Sequence, residues 1–93
     1  MDRYLDLFIS YLQVEKGLAR NTLEAYSRDI SVYLDFLHRQ DRSQPAEIRP
    51  LDVASFLQQL KEAGISPRSR ARNLSAVRMF HRFLMIEQYK VGS

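Results

Sequence analysis

Hydrophobic side chains recur along the first forty residues with the spacing of amphipathic α-helices. Asp2 is placed to cap a first helix that extends to about Lys16, and Gly17, a typical helix terminator, lies just past its end. Asn21 and Glu24, three residues apart, are interpreted as a capping pair at the start of the second stripe, whose first apolar residue is Leu23. Helices are therefore predicted over about residues 2–16 and 21–40. The two stripes consist of Tyr4, Leu5, Phe8, Ile9 and Leu12, and of Leu23, Tyr26, Ile30, Tyr33, Leu34 and Leu37.

A third helix is predicted to begin at Pro50, because proline suits the first turn of a helix. Its apolar side chains lie on one face, and Gly64 ends it. Residues 41–49 are polar, contain a proline and show no periodicity, so we expect a loop there. The apolar face consists of Val53, Phe56, Leu57 and Leu60.

A fourth helix is predicted from Ser66 and Pro67 to about Glu87, with the serine as N-cap and the proline at the first helical position. No segment alternates apolar and polar residues as a strand does, and no hairpin turn is present. The fold class is therefore predicted to be all-α, a compact four-helix bundle.

The composition limits the classes of protein that fit this pattern. A chain of 93 residues, 45% hydrophobic, is expected to form a single domain across residues 1–93. It contains no cysteine, which excludes disulfide scaffolds and thiol chemistry. The longest apolar runs are only a few residues, so neither a signal peptide nor a membrane span is predicted, and we expect a cytoplasmic protein.

Positive charge is concentrated in the last third of the chain. Residues 63–86 carry five arginines and no Asp or Glu, whereas residues 1–62 carry eight Lys or Arg against ten Asp or Glu. On a helical wheel, one arc of about 120° collects Arg68, Arg72, Arg78 and Arg82 together with Ser75, and only Arg70 lies off it. Solvated helix faces usually interleave both signs, so this arginine face favours a polyanion as partner.

Other chemistry has little support in the sequence. His38 and His81 lie 43 residues apart with no cysteine or carboxylate at ligand spacing, so we expect surface histidines and no metal site. Three glycines at helix ends do not form a phosphate-binding loop, so no cofactor is predicted. The tyrosines mostly lie on or beside apolar stripes, which indicates aromatics of the core or its rim. They are Tyr4, Tyr11, Tyr26, Tyr33 and Tyr89.

Four apolar residues lie off the main stripes of the first and fourth helices: Leu7, Val14, Met79 and Ile86. Scattered exposed apolar residues are common on soluble proteins. The alternative is a contact with another protomer or with a following domain.

Two blocks of sequence resemble the amino-terminal core-binding domain of Xer-type tyrosine recombinases and related phage integrases. The resemblance covers residues 4–86, nearly the whole chain. The first block runs from Tyr11 to Leu18 and continues with Asn21–Tyr26, Arg28–Ile30 and Phe36–Leu37; the second contains Ser66, Ser69, Arg72, Leu74–Ala76, Arg78 and Phe80.

The resemblance implies a SAM-like domain that forms one half of a C-shaped clamp around double-stranded DNA. Helices 2 and 4 are then presented to the major groove and the adjacent phosphates. Ala19 and Ser27 depart from the family, whose members often carry a hydroxyl and a basic residue at these positions. The candidate DNA contacts are Asn21, Thr22, Tyr26, Arg28, Ser66, Arg68, Ser69, Arg72 and Arg78, to which the arginine face adds Arg82.

The resemblance also implies that catalysis, by a tyrosine nucleophile with arginine, lysine and histidine partners, belongs to a carboxy-terminal domain outside this chain. We therefore expect a DNA-binding fragment, monomeric in isolation, whose parent meets other recombinase protomers in a synaptic complex. Arg72, nearer the helix N-terminus, is expected to read a base, and Arg78 to hold the backbone. Chromosome-dimer resolution and mobile-element integration both fit.

Two other classes of function remain open at this point. One is a helical protein-interaction module that docks an acidic partner through the arginine face. The other is a small self-sufficient enzyme that uses one of the tyrosines. Salt-sensitive retention of duplex DNA separates the DNA-binding hypothesis from both.

Overall fold

Four α-helices account for most of residues 1–87, which are the residues that the computed structural model describes. They are α1 (Asp2–Glu15), α2 (Arg20–Arg39), α3 (Pro50–Glu62) and α4 (Pro67–Ile86). A short 3₁₀ turn, Pro45–Glu47, lies between α2 and α3, and this part of the chain contains no strand. The all-α fold class and the four helices predicted from the sequence are therefore confirmed, with ends that differ by one or two residues.

Glycines in the left-handed region follow α1 and α3, as the sequence predicted. Gly17 has φ +57° and Gly64 has φ +80°, a backbone conformation that side chains with a Cβ rarely adopt. Beyond Gly64, the amide of Ile65 donates to the carbonyl of Leu60 at 3.0 Å, which satisfies an end carbonyl of α3. The chain is thereby turned sharply into the start of α4.

Of the predicted N-caps, that of α4 is confirmed and that of α1 is wrong. The Ser66 hydroxyl accepts a hydrogen bond from the Ser69 amide at 3.2 Å, with Pro67 in the first turn. Asp2 is already helical, and Met1 occupies the cap position without a side-chain hydrogen bond. The acid at Asp2 still lies in the first turn, where its charge is favourable to the helix dipole.

The predicted capping pair of α2, Asn21 with Glu24, is also wrong. The cap position is Ala19, whose φ of −65° and ψ of 153° are the extended values that a cap requires. Asn21 lies one residue inside the helix, where its backbone is helical and its side chain no longer caps the first turn. Glu24 instead accepts a hydrogen bond from Arg20 Nε at 3.2 Å on the surface.

The segment 41–49 is more ordered than the predicted loop. Pro45 and Ile48 are buried, and the Glu47 carboxylate accepts hydrogen bonds from the Ser43 amide, the Ser43 hydroxyl and the Gln44 amide, each at 2.9 Å. These bonds, the Ser43 amide first, lower the pKa of Glu47. The sequence signal for this turn is a proline followed two residues later by an acid, a pattern that a search for hydrophobic periodicity does not detect.

The same arrangement is repeated at the start of α3. The Asp52 carboxylate accepts from the Arg49 amide at 2.8 Å and from Arg42 Nε at 3.0 Å. Burial opposes the ionisation of Asp52, but these hydrogen bonds outweigh it and hold the pKa of Asp52 below its ordinary value. The ion pair with Arg42 attaches the connection to α3.

Aromatic side chains from all four helices form the core. The ring of Phe8 on α1 meets that of Phe80 on α4 edge-on at 5.3 Å between centroids. On the other side of the bundle, the Phe56 ring of α3 lies 5.1 Å from Tyr33 and 5.4 Å from Phe36, both on α2. The core therefore contains two aromatic groups, one between α1 and α4 and one between α2 and α3.

The two histidines differ in their surroundings. His38 is exposed, as predicted, but His81 is partly buried, and its Nε2 is hydrogen-bonded to the Tyr33 hydroxyl at 2.8 Å. Burial lowers the pKa of His81 and raises that of Tyr33, so both groups are held neutral. The prediction of a surface histidine was wrong at His81, because this position faces α2.

The tyrosines lie in the core or at its rim, as predicted. Tyr33 is fully buried, and the half-buried members Tyr4, Tyr11 and Tyr26 pack against the buried cluster. Tyr89 lies outside the described residues.

Of the four apolar residues that lie off the main stripes, three are exposed. Leu7, Val14 and Ile86 line one shallow groove between α1 and the end of α4. Met79 is instead half-buried and packs against the core, so its expected exposure was wrong. No helix of the described residues is both long and apolar enough to cross a membrane.

We expect Phe80→Ala to lower the free energy of unfolding by about 3–5 kcal/mol, because Phe80 is fully buried and its removal leaves a cavity against Phe8. Met85→Ala on the same helix is the control, since Met85 is exposed and its loss is expected to cost less than about 0.5 kcal/mol. Urea unfolding followed by circular dichroism measures both. Equal losses would contradict the assigned core face of α4.

Stability is expected to fall as the pH is lowered through the range below 6.5, the ordinary pKa of histidine. The lowered pKa of His81 in the folded state means that the unfolded chain binds the proton more readily, so acid favours unfolding. In His81→Gln, which cannot titrate, the melting temperature should fall less between pH 7.5 and 5.5. An equal fall of the melting temperature in the two proteins would show that His81 does not contribute to the pH dependence of stability.

Candidate nucleic-acid interface

The arginine face of α4 is exposed as the helical wheel predicted. Arg68, Arg78 and Arg82 are all exposed, and within residues 1–87 no hydrogen bond or ion pair engages their guanidinium groups. Ala71 and Ser75, also exposed, lie between them and leave room for close approach. The opposite side of α4 is buried in the core through Ala76, Val77, Phe80 and Leu84.

Arg72 differs from these three because it is paired with an acid on another helix. Its Nε donates to Asp29 Oδ2 at 2.7 Å and its Nη2 donates to Asp29 Oδ1 at 2.9 Å. The hydrogen bond to Asp29 raises the pKa of Arg72 further. Residues 63–86 contain no acid, but the fold supplies one from α2, so the predicted local charge of this face is reduced.

Asp29 is the functional candidate that sequence reasoning missed. Its side chain is 6% exposed, against 44% for Arg72. A signal was present, because Asp29 lies three residues after Tyr26 and four before Tyr33, on the buried side of α2. A carboxylate at such a position requires a cationic partner.

Arg70, the arginine off the predicted arc, has a structural contact. It is half-buried, and its Nη1 donates to the Ile65 carbonyl at 2.8 Å in the connection between α3 and α4. Arg70 therefore lies off the arginine face, as the wheel predicted.

A surface groove of about 340 Å³ between α2 and the first turns of α4 brings several predicted contacts together. Arg28 and Asp29 line it from α2, and Ser66, Ser69 and Arg72 line it from the start of α4. The floor is fixed in part by buried Asn73, whose Nδ2 donates to the Ser69 carbonyl at 2.8 Å. Four of the ten candidate residues thus share one site.

The remaining candidates lie outside this groove. Asn21 is exposed, and Thr22 and Tyr26 are half-buried, on the first two turns of α2. Arg82 lies near Lys16 at a small pocket between α1 and α4, which places a second basic group near the far end of the arginine face.

The two positions at which the sequence resemblance was expected to fail have clear places in the fold. Ala19 is the N-cap of α2, where a hydroxyl side chain would cap this helix. Ser27 is half-buried and lines a different groove, between α1 and α2.

We expect Arg72→Ala to destabilise the domain by about 1–3 kcal/mol, because it leaves the buried Asp29 carboxylate without its partner. Arg78→Ala, at an exposed and unpaired position, is expected to cost less than about 0.5 kcal/mol. Denaturant unfolding of the two variants compares them directly. If Arg78→Ala were the more damaging, the placement of the face would be contradicted.

Comparison with known proteins places the whole arrangement in one family. Residues 5–88 match the family described as phage integrase, N-terminal SAM-like domain. Tyrosine recombinase XerD of Chlorobaculum tepidum is 40% identical over 84 residues, which cover 90% of this chain and 27% of the relative. Tyrosine recombinase XerC of Oceanobacillus iheyensis is 38% identical over 93 residues, 100% of this chain and 30% of the relative.

A third relative, tyrosine recombinase XerD of Bifidobacterium longum, is 39% identical over 83 residues, 89% of this chain and 27% of its own length. The chain thus spans less than a third of the length of these curated relatives. A search of solved structures found no significant match. The family match extends over residues 5–88 and includes all of α2 and α4, which carry the candidate interface. Because it covers nearly the whole chain, the chain belongs to the phage integrase N-terminal SAM-like domain family.

Proposed function

We propose that this chain is the DNA-binding domain of a site-specific tyrosine recombinase and that it clamps one side of duplex DNA at the core recombination site. The observation that carries the proposal is the exposed arginine face of α4, three of whose four guanidinium groups are unpaired within residues 1–87, beside the groove that α2 completes. Membership of the recombinase family supports it independently. The complete parent would carry out DNA integration or recombination.

The arginine face has the dimensions for a run of backbone contacts. Arg68 and Arg82 are 14 residues apart, which is about 21 Å along a helix axis at 1.5 Å per residue. This length corresponds to about six base pairs of duplex at 3.4 Å each. Unpaired guanidinium groups spaced along it suit phosphates on the edge of a groove.

The contacts are proposed to divide between positioning and reading. Arg28, Arg68, Arg78 and Arg82 have no partner within the described residues, so each can neutralise a phosphate. Arg72 lies in the groove nearer the N-terminus of α4, the end that recognition helices commonly direct to base edges. Asn21, Thr22, Tyr26, Ser66 and Ser69 would add hydrogen bonds around them.

Strand exchange itself is proposed to belong to the portion of the relatives that this chain does not cover. Its contribution would be to hold the duplex in register while a tyrosine nucleophile acts elsewhere in the parent. Other recombinase protomers are the proposed protein partners, in a synaptic complex on DNA. Relatives named XerC and XerD match at similar identity, so the proposal does not distinguish between these two types.

Binding to a random-sequence duplex should be weak and strongly salt-dependent. Four phosphate contacts predict that log K falls with log salt at a slope of about −3.6, with Kd on the order of 10⁻⁴ to 10⁻⁶ M at physiological salt. Fluorescence anisotropy over a salt series measures the slope. A flat response would contradict the proposal and favour an acidic protein partner.

Arg78→Gln should reduce this slope by about 0.9 and weaken all duplex sequences alike, because it removes one phosphate contact. Arg39→Gln is the matched control: it removes the same charge from an exposed arginine at the carboxyl end of α2, outside the proposed interface. An equal effect of the two variants would show that net charge, rather than the arginine face, determines the affinity.

A further inference from the structure

We propose that Asp29 is a positioning residue that holds the guanidinium of Arg72 for reading a base edge with two acceptors, that of guanine. This inference rests on the proposed function. Asp29 is the one buried acid next to the arginine face in residues 1–87, and it was not among the DNA contacts expected from sequence.

The geometry leaves the reading edge of Arg72 free. A guanidinium carries five N–H donors in a fixed plane. Asp29 occupies the Nε edge, with Nε at 2.7 Å and Nη2 at 2.9 Å from its two oxygens. The donors that remain are both hydrogens of Nη1 and one of Nη2. Nη1 and Nη2 form the fork that matches the O6 and N7 acceptors of guanine.

The charges favour a base over a phosphate at this position. The Asp29 carboxylate lines the same groove as Arg72 and offsets its positive charge. A phosphate entering the groove would meet this negative charge, whereas the acceptors of a base edge belong to a neutral group. Arg78 is exposed and has no acid paired with it among the described residues, which suits a phosphate instead.

The order of the Arg72 side chain before binding also favours a base contact. A free arginine must be immobilised before it makes a bidentate contact, and this costs side-chain entropy at the moment of binding. The plane of the Arg72 guanidinium is already fixed by the two short hydrogen bonds that it donates to the nearly buried carboxylate of Asp29. The guanidinium is therefore preorganised for a planar partner.

The test compares Asp29→Asn with Asp35→Asn in the complete 93-residue chain. Both variants remove one negative charge from α2, but Asp35 is exposed and has no partner within residues 1–87. Two measurements are made: the salt slope on a random-sequence duplex, and the sequences retained from a randomised duplex library at low salt. Circular dichroism verifies that each variant is folded.

For the wild type we expect a guanine preference at one position of about tenfold, within the range typical of one bidentate pair. In Asp29→Asn this preference should disappear, while affinity for the random duplex rises and the slope steepens by about 0.9 because Arg72 is released to a phosphate. Asp35→Asn should retain the preference. Retained preference in Asp29→Asn would overturn the inference.

Arg72→Lys provides a second test if Asp29→Asn does not fold. Lysine preserves the charge opposite Asp29 but lacks the second donor edge, so the guanine preference should be lost and the slope retained. A wild type that binds with salt sensitivity but without any guanine preference overturns the inference alone. A wild type without salt-sensitive binding overturns the proposed function and this inference with it.

Discussion

Packing of α4 against α2 determines which side chains of α4 are buried and which reach solvent. Two polar contacts join these helices within apolar packing: the Arg72–Asp29 ion pair and the hydrogen bond between Tyr33 and His81. Because a polar contact inside a helix interface is satisfied in only one register, these two contacts fix both the position of α4 along its axis and its rotation about that axis. The same rotation that buries Phe80 places Arg78 in solvent.

This arrangement separates most of the proposed DNA contacts from the residues that form the core. The arginines of α4 that remain unpaired contribute nothing to the core, so their charge is available to a polyanion. Arg72 satisfies a nearly buried carboxylate and lies in the groove that α2 and α4 share. Under the proposed function, stability and recognition are therefore coupled at this one residue, and its removal is expected to affect both.

Periodicity was sufficient to predict the helices and the exposed face of α4, because both depend on local spacing. It did not predict that Asp29 pairs with Arg72 or that His81 meets Tyr33, because each pair joins residues more than forty positions apart. The predicted cap at Asn21 was wrong because the cap of α2 is Ala19, two residues earlier than the motif implied. The order in residues 41–49 depends on single carboxylates, Glu47 and Asp52, which periodicity does not detect.

Duplex DNA is proposed to bind the outer side of α4 and the groove beside α2. Titration of the ¹⁵N-labelled chain with a short duplex, followed by amide chemical shifts, tests this proposal. We expect the shifts to concentrate at Arg28 and at Ser66, Ser69, Arg72 and Arg78, and to reverse with added salt. Shifts confined to the apolar groove around Leu7 and Val14, or to the exposed face of α3, would contradict it.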